Sequence, residues 1–149
     1  MAALRKKIRS HCPINFGLEA FGDKWSLLIL RDIVFRGKKT YGEFLKSKEG
    51  FATNILASRL EMLEQEGILR RRADPEDGRK DIHILTEKGL DLIPVIFELI
   101  LWSAKYDPDS EAKRITRLVM QIQSNNRGIS RKLIAKVRLG GALLPEYLD

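Results

Sequence analysis

The sequence predicts a mainly α-helical fold with one small β-hairpin, and three observations carry that expectation. Apolar residues recur at helical spacing along most of the chain. Between residues 40 and 66 a short capped helix, a tight turn and an amphipathic helix follow one another, the pattern of a helix-turn-helix. The apolar period then changes: two strand-like runs flank Asp74-Pro75-Glu76-Asp77-Gly78, which is dense in turn formers. A hairpin directly after a helix-turn-helix makes the winged variant.

Taken in order, residues 1–11 read as a basic arm. Cys12-Pro13 opens the first helix, because proline suits the first helical position. Ile14, Leu18 and Phe21 give that helix an apolar face and Gly22 ends it. Asp23 suits the N-cap of the next helix, Lys24 to about Phe35, whose many apolar positions predict burial on most sides. Gly37 closes it. Thr40-Tyr41-Gly42-Glu43 reads as a capping box opening a short helix with Phe44 and Leu45 as core contacts.

After a turn at residues 48–51, a helix runs from about Thr53 to Glu66, with Leu56, Leu60 and Leu63 on one face and Gly67 as its stop. Strands are expected at Ile68–Ala73 and Asp81–Leu85. Thr86, with Glu87 in the first turn, caps one long helix expected to continue to about Tyr106. The tail holds two amphipathic stretches, Ile115 to Ile122 and Leu133 to Val137, separated by Asn125-Asn126-Arg127-Gly128. The expected organisation is a winged helix-turn-helix domain with its basic arm at 1–106 and a helical C-terminal extension at 107–149.

Composition narrows the function classes. With 44% hydrophobic residues the 149-residue chain holds enough apolar material for a packed core, which excludes a wholly disordered protein. A single cysteine excludes an intramolecular disulfide and a cysteine-built zinc site, so no metal is expected. The start lacks the apolar run of a secretory signal, and the longest apolar stretch, Ile93 to Ala104, is too short to span a bilayer and contains Glu98. A cytoplasmic location and no membrane partner are the expectation. Two histidines, one cysteine and no phosphate-binding glycine loop argue against an enzyme and against a bound cofactor.

The net charge of +7 suggests a polyanionic partner, but it is unevenly spread. Residues 1–40 carry nine Lys/Arg against three Asp/Glu, residues 41–108 ten against thirteen, and residues 109–149 eight against four. The helix-turn-helix itself is slightly acidic, so any nucleic-acid footprint depends on a few placed cations.

With Leu56, Leu60 and Leu63 inward, the helix from Thr53 turns Asn54, Ala57, Ser58, Glu61 and Gln65 outward, with Thr53 and Arg59 on the flanks. A recognition helix meets base edges mainly with its N-terminal turns. Asn54 suits bidentate pairing with adenine, Thr53 or Ser58 a phosphate or base, and Ala57 a thymine methyl. Arg59 suits either a phosphate or a nearby carboxylate. Arg79 and Lys80 at the hairpin tip suit the narrow minor groove or its phosphates. Lys38, Lys39, Thr40 and Tyr41, at the start of the short helix, suit phosphates that set register.

Several motifs then resemble one family. Cys12-Pro13 and Gly22-Asp23-Lys24-Trp25 with Leu27 to Arg31 resemble its opening, and Phe51 to Leu60 its recognition helix. Asp74-Pro75, Asp77-Gly78-Arg79 and Leu85-Thr86-Glu87-Lys88-Gly89 resemble its wing and final-helix entry. Residues 10–106 thus resemble the HxlR family of winged-helix transcriptional regulators. The resemblance implies a homodimeric DNA-binding repressor or activator that joins through terminal helices and reads a palindromic double-stranded operator. It also implies a candidate regulatory thiol, since some members sense oxidants or electrophiles through an N-terminal cysteine. Cys12 has physical grounds for that role: a helix N-terminus and the nearby Arg5, Lys6, Lys7, Arg9 and His11 favour thiolate. An inert thiol packed at the dimer contact is the alternative.

Two features depart from the family. His83 stands where an aromatic is usual, and residues 107–149 continue past its usual end. The competing functions are a winged helix used for protein–protein contact without specific DNA binding, and a MarR-type regulator with a small-molecule pocket at the dimer interface.

Overall fold

A computed structural model describes residues 7–143. Arg5 and Lys6 of the basic arm, and the last six residues of the tail, lie outside them. The elements are α1 (Pro13–Phe21), α2 (Lys24–Arg36), α3 (Tyr41–Leu45), α4 (Thr53–Gln65), β1 (Leu69–Ala73), β2 (Asp81–Leu85), α5 (Glu87–Leu90), α6 (Ile93–Tyr106), a 3-10 helix (Glu111–Ile115) and α7 (Thr116–Arg138). The fold is mostly helical with a two-stranded antiparallel hairpin.

The helix starts follow local chemistry. Asp23 caps α2 by accepting from the Ser26 N–H at 2.9 Å, and Gly37 ends it at φ 65°, a left-handed conformation that glycine adopts without a Cβ penalty. Thr40 and Glu43 form the reciprocal capping box of α3. Thr86 caps α5 through the Gly89 N–H at 3.2 Å. Gly89 is required there, because a Cβ would collide with the Ile68 carbonyl oxygen.

One expectation changes and one holds. The single helix from Thr86 to Tyr106 is two helices, broken at Asp91-Leu92. Pro94 has no N–H to donate to the carbonyl four residues back, so the ladder stops at Leu90 and restarts at Ile93. In the tail, the two expected amphipathic stretches are two helical segments of α7 that meet at a kink at Asn125, whose backbone is non-helical (φ −158°, ψ 76°). The Asn125 side chain accepts from the Gly128 N–H at 2.9 Å and so caps the second half.

The core lies between α2, α4, α6 and α7. Ile29, Leu30 and Val34 of α2 meet Phe44, Leu56, Leu63, Ile68, Ile93 and Phe97, all buried. The Phe35 and Phe97 rings pack edge-on with centroids 6.3 Å apart. Leu118, Ile122, Leu133 and Leu143 belong to the same cluster, so the tail packs into this core. Asn126 ties α7 to α6 by donating to Glu98 Oε1 at 2.8 Å.

Phe21 of α1 packs against the core, but among the described residues nothing covers the rest of its apolar face. Ile14 is 73% and Leu18 58% exposed. Val95, Leu99, Trp102 and Tyr106 form an exposed stripe at helical spacing along α6. No helix among the described residues is long and apolar enough to cross a membrane.

Candidate nucleic-acid interface

α4 buries Leu56, Leu60 and Leu63 and leaves Thr53, Asn54, Ala57 and Ser58 exposed on its outer face. The outward residues Asn54, Ala57 and Ser58 and the flanking Thr53 thus share one surface. The N-cap of α4 is Ala52, which has no side chain to accept from the first-turn N–H groups. Those donors point along the helix axis, towards whatever α4 meets.

α3 braces that end. The Tyr41 hydroxyl donates to the Thr53 carbonyl oxygen at 3.1 Å. Thr40 is committed to its capping box, where the Glu43 N–H donates to its hydroxyl at 3.2 Å. The Lys39 carbonyl accepts from the His83 N–H at 2.8 Å, which fastens the residues before α3 to the edge of β2.

The cations divide. Lys38 turns inward: its ammonium lies 3.3 Å from Asp32 Oδ2 and 2.7 Å from the Ser47 hydroxyl, so it is held by a buried carboxylate and not presented to a phosphate. Arg59 is likewise committed, its Nε 3.1 Å from Asp23 Oδ1 at the start of α2. Arg79 is 92% exposed at the wing tip and pairs with Asp77 at 3.2 Å, a contact that lowers the Asp77 pKa from its ordinary value. Lys80 is exposed on the next position.

A cleft of about 680 Å³ runs between α4 and the hairpin, bordered by Tyr41, Ala57, Glu61, Arg71, Lys80 and His83. Its carboxylates are partly offset by Arg71, 3.8 Å from both Glu64 and Asp81. His83 is 7% exposed on the cleft floor and its Nδ1 has no hydrogen-bond partner among the described residues. Burial lowers its pKa from the ordinary histidine value.

The sequence reading passed over the three consecutive arginines Arg70, Arg71 and Arg72 of β1. Strand alternation was the available signal: pairing places Arg71 opposite His83, and Arg70 and Arg72 opposite Ile84 and Ile82. Arg71 therefore faces the cleft and its neighbours face the other way.

Cys12 is exposed at the N-cap of α1. The backbone N–H groups of Asn15 and Ile14 hold its thiol below the ordinary pKa.

Comparison with known proteins agrees with this architecture. Residues 20–111 match the HxlR-like helix-turn-helix family. The uncharacterized HTH-type transcriptional regulator sll1512 of Synechocystis sp. is 34% identical over 88 residues, 59% of this chain and 64% of that protein. The chain thus spans slightly less than two thirds of that relative's length. The HTH-type transcriptional regulator YodB of Bacillus subtilis is 32% identical over 96 residues, 64% of this chain and 85% of that one.

Among solved structures, PA1607 is 37% identical with a TM-score of 0.62, over 69% of this chain and 72% of its own. The oxidized form of the redox regulator HypR is 28% identical with a TM-score of 0.57, over 63% of this chain and 96% of its own. The capped α2, the α3–turn–α4 unit and the hairpin all lie inside the matched residues, and all of α7 lies outside them; the chain belongs to the HxlR-like helix-turn-helix family.

Proposed function

We propose that this protein is a homodimeric transcriptional regulator that binds double-stranded DNA sequence-specifically. The observation that carries the reading is the outer face of α4: exposed Thr53, Asn54, Ala57 and Ser58 beside an uncapped helix start and a protruding, cation-tipped wing. In the major groove Asn54 would read adenine, Ala57 would approach a thymine methyl, and Thr53 or Ser58 would meet a base or phosphate. Lys39, Tyr41 and the α4 N-terminus would hold the backbone, with Arg79 and Lys80 in the adjoining minor groove. Thr40 serves this contact by fixing α3. Lys38 and Arg59, bonded to Asp32 and Asp23, support the interface from behind.

The uncovered faces of α1 and α6 supply the dimer contact. Ile14 and Leu18, with Val95, Leu99, Trp102 and Tyr106, form apolar surface of the kind a second copy would bury. Two-fold pairing would set the recognition helices on half-sites about one helical turn, roughly 34–36 Å, or a multiple of it apart, which makes the operator palindromic.

Selection of bound sequences from a random duplex pool tests the reading directly. A palindromic motif is expected; no enrichment, with no DNA affinity at low salt, would favour a protein-contact module instead. Asn54→Ala should cost about 1–3 kcal/mol of operator affinity and relax one base position. Unchanged affinity and preference would mean that α4 does not read bases through this face.

Cys12 is the proposed signal input, by oxidation or by thiolate addition to an electrophile. Its exposure, its lowered pKa and its place beside the uncovered α1 face support this, as does the similarity to HypR. Operator affinity of wild type, but not of Cys12→Ser, should change on treatment with a quinone or peroxide. An equal response of both proteins would assign sensing elsewhere.

A further inference from the structure

The end of α7 returns to the wing. After Arg138 the chain turns through Gly140 at φ 88°, a left-handed position that suits glycine. The Gly141 N–H donates to the Lys136 carbonyl at 2.9 Å, and the Leu143 N–H donates to the Val34 carbonyl at 3.0 Å while its side chain is buried. This path lays Arg138 to Gly141 across the end of α2 and along the hairpin face opposite the α4 cleft.

A groove of about 220 Å³ lies between them, bordered by Lys39, Arg70, Arg72, Arg138 and Gly140, and among the described residues no Asp or Glu lines it. Arg70 and Arg72 project from the same face of β1, opposite Ile84 and Ile82. The Lys39 ammonium is 3.8 Å from where a Cβ on Gly140 would stand. Lys39, Arg70 and Arg72 have no ion-pair partner among the described residues, whereas Arg138 is fixed by two 2.8 Å bonds to Glu87.

We infer that this groove is a track for the phosphate backbone of duplex DNA beyond the bases read by α4, and that the C-terminal tail exists in part to build its outer wall. The inference rests on the DNA-binding reading above and extends its footprint. Three features favour a duplex over a small anion. Arg70 and Arg72 are exposed, where an enclosed anion site would bury its donors. Two residues apart on one strand, their Cα atoms stand about 6.8 Å from each other, a spacing that lets the two guanidiniums reach separate phosphates. The groove also adjoins the α4 cleft across β2, with His83 bordering both.

The test compares wild type, Arg70→Gln/Arg72→Gln and Asn54→Ala on the selected operator, as a duplex ending at the half-sites and as one with ten further base pairs on each side. Lys113→Gln/Arg114→Gln, on the 3-10 helix, controls for equal loss of charge. Wild type should bind the longer duplex more tightly, and the arginine pair should lose that gain while keeping its base preference. Its plot of log affinity against log salt should flatten by about 0.9 per lost phosphate contact, hence about 2 for each bound subunit. The control pair should keep both the gain and the slope.

The inference is overturned if the arginine pair matches wild type in flank dependence and slope while Asn54→Ala still loses base preference; the DNA-binding reading then stands alone. It is also overturned if the arginine pair loses inorganic phosphate or pyrophosphate binding with no change on either duplex, which would make the groove a small-anion site. Failure of wild type to bind any duplex at low salt removes both readings.

Discussion

Replacing Asp32 with alanine should destabilise the protein by about 3–5 kcal/mol, the cost of breaking a buried ionic cluster by removing its centre. Asp32 has no exposed surface. Its Oδ1 accepts from Arg31 Nε and Nη2 at 3.0 and 2.8 Å and from Arg36 at 3.2 Å, and its Oδ2 accepts from Lys38 at 3.3 Å and from the Ser47 hydroxyl. Those cations keep some access to water, with side chains 17–33% exposed, so part of their charge is resolvated when the carboxylate goes. That places the effect nearer the lower figure.

The cluster joins α2 to the turn after α3, and Arg31 also clamps Glu49 with a 2.8 Å bond. The Asp32→Ala melting temperature should fall by on the order of 10 °C. Asp32→Asn, which keeps the shape and loses the charge, should fall between. A loss of under about 1 kcal/mol in urea unfolding would mean that the cluster is not holding α2 to the helix-turn-helix.

The same cluster gives the protein an acid limit. The Arg31 guanidinium holds the Glu49 carboxyl down from its ordinary 4.5 to about 2. The folded value is the lower one, so the unfolded chain takes up this proton first. The contribution is complete above about pH 4.5 and is lost as pH falls towards 2. His83 adds a loss that starts higher. Its buried imidazole resists protonation, so falling pH favours the unfolded chain below the ordinary histidine value.

What the sequence made legible was the chemistry that acts over a few residues. The Asp23 cap, the Thr40–Glu43 box, the Thr86 cap and the leucine face of α4 each depend on neighbours within one or two turns, and each is where the pattern puts it. The break before Ile93 was legible in principle, because Pro94 removes a ladder donor, but the apolar period runs on through it and masks the stop.

The directions of the cations were not legible. Lys38 and Lys39 are adjacent and alike, yet one is drawn to Asp32, buried by the packing of α2, while the other stays beside Gly140, about a hundred residues on. Arg59 is fixed by a partner 36 positions away. For α1, periodicity gave an apolar face and could not say whether the same chain covers it; among the described residues nothing covers Ile14 and Leu18.

The tail supports a prediction stronger than any point substitution. The sequence pattern marks residues 107–149 as a helical C-terminal extension of a winged helix-turn-helix domain at 1–106. In the fold, Leu118, Ile122, Leu133 and Leu143 are buried against the same core as Phe35, Ile93 and Phe97. Four buried aliphatic side chains are each worth about 1.5–3 kcal/mol, so their removal together costs roughly 6–12 kcal/mol. That rivals the entire stability of an ordinary domain, about 5–15 kcal/mol.

A chain ending at Tyr106 should therefore fail to melt cooperatively and should expose the inner faces of α2 and α6, seen as aggregation or strong binding of an apolar dye. Single Leu118→Ala and Ile122→Ala variants of the full chain should each lose about 2–5 kcal/mol and still unfold in one transition. A soluble 1–106 fragment that melts within a few degrees of the full chain would show that the winged helix is an independent unit and that α7 only leans on it. The expected opposite outcome makes α7 a structural part of the domain, which fixes the position of Arg138 and Gly140 beside the wing as firmly as the wing itself is fixed.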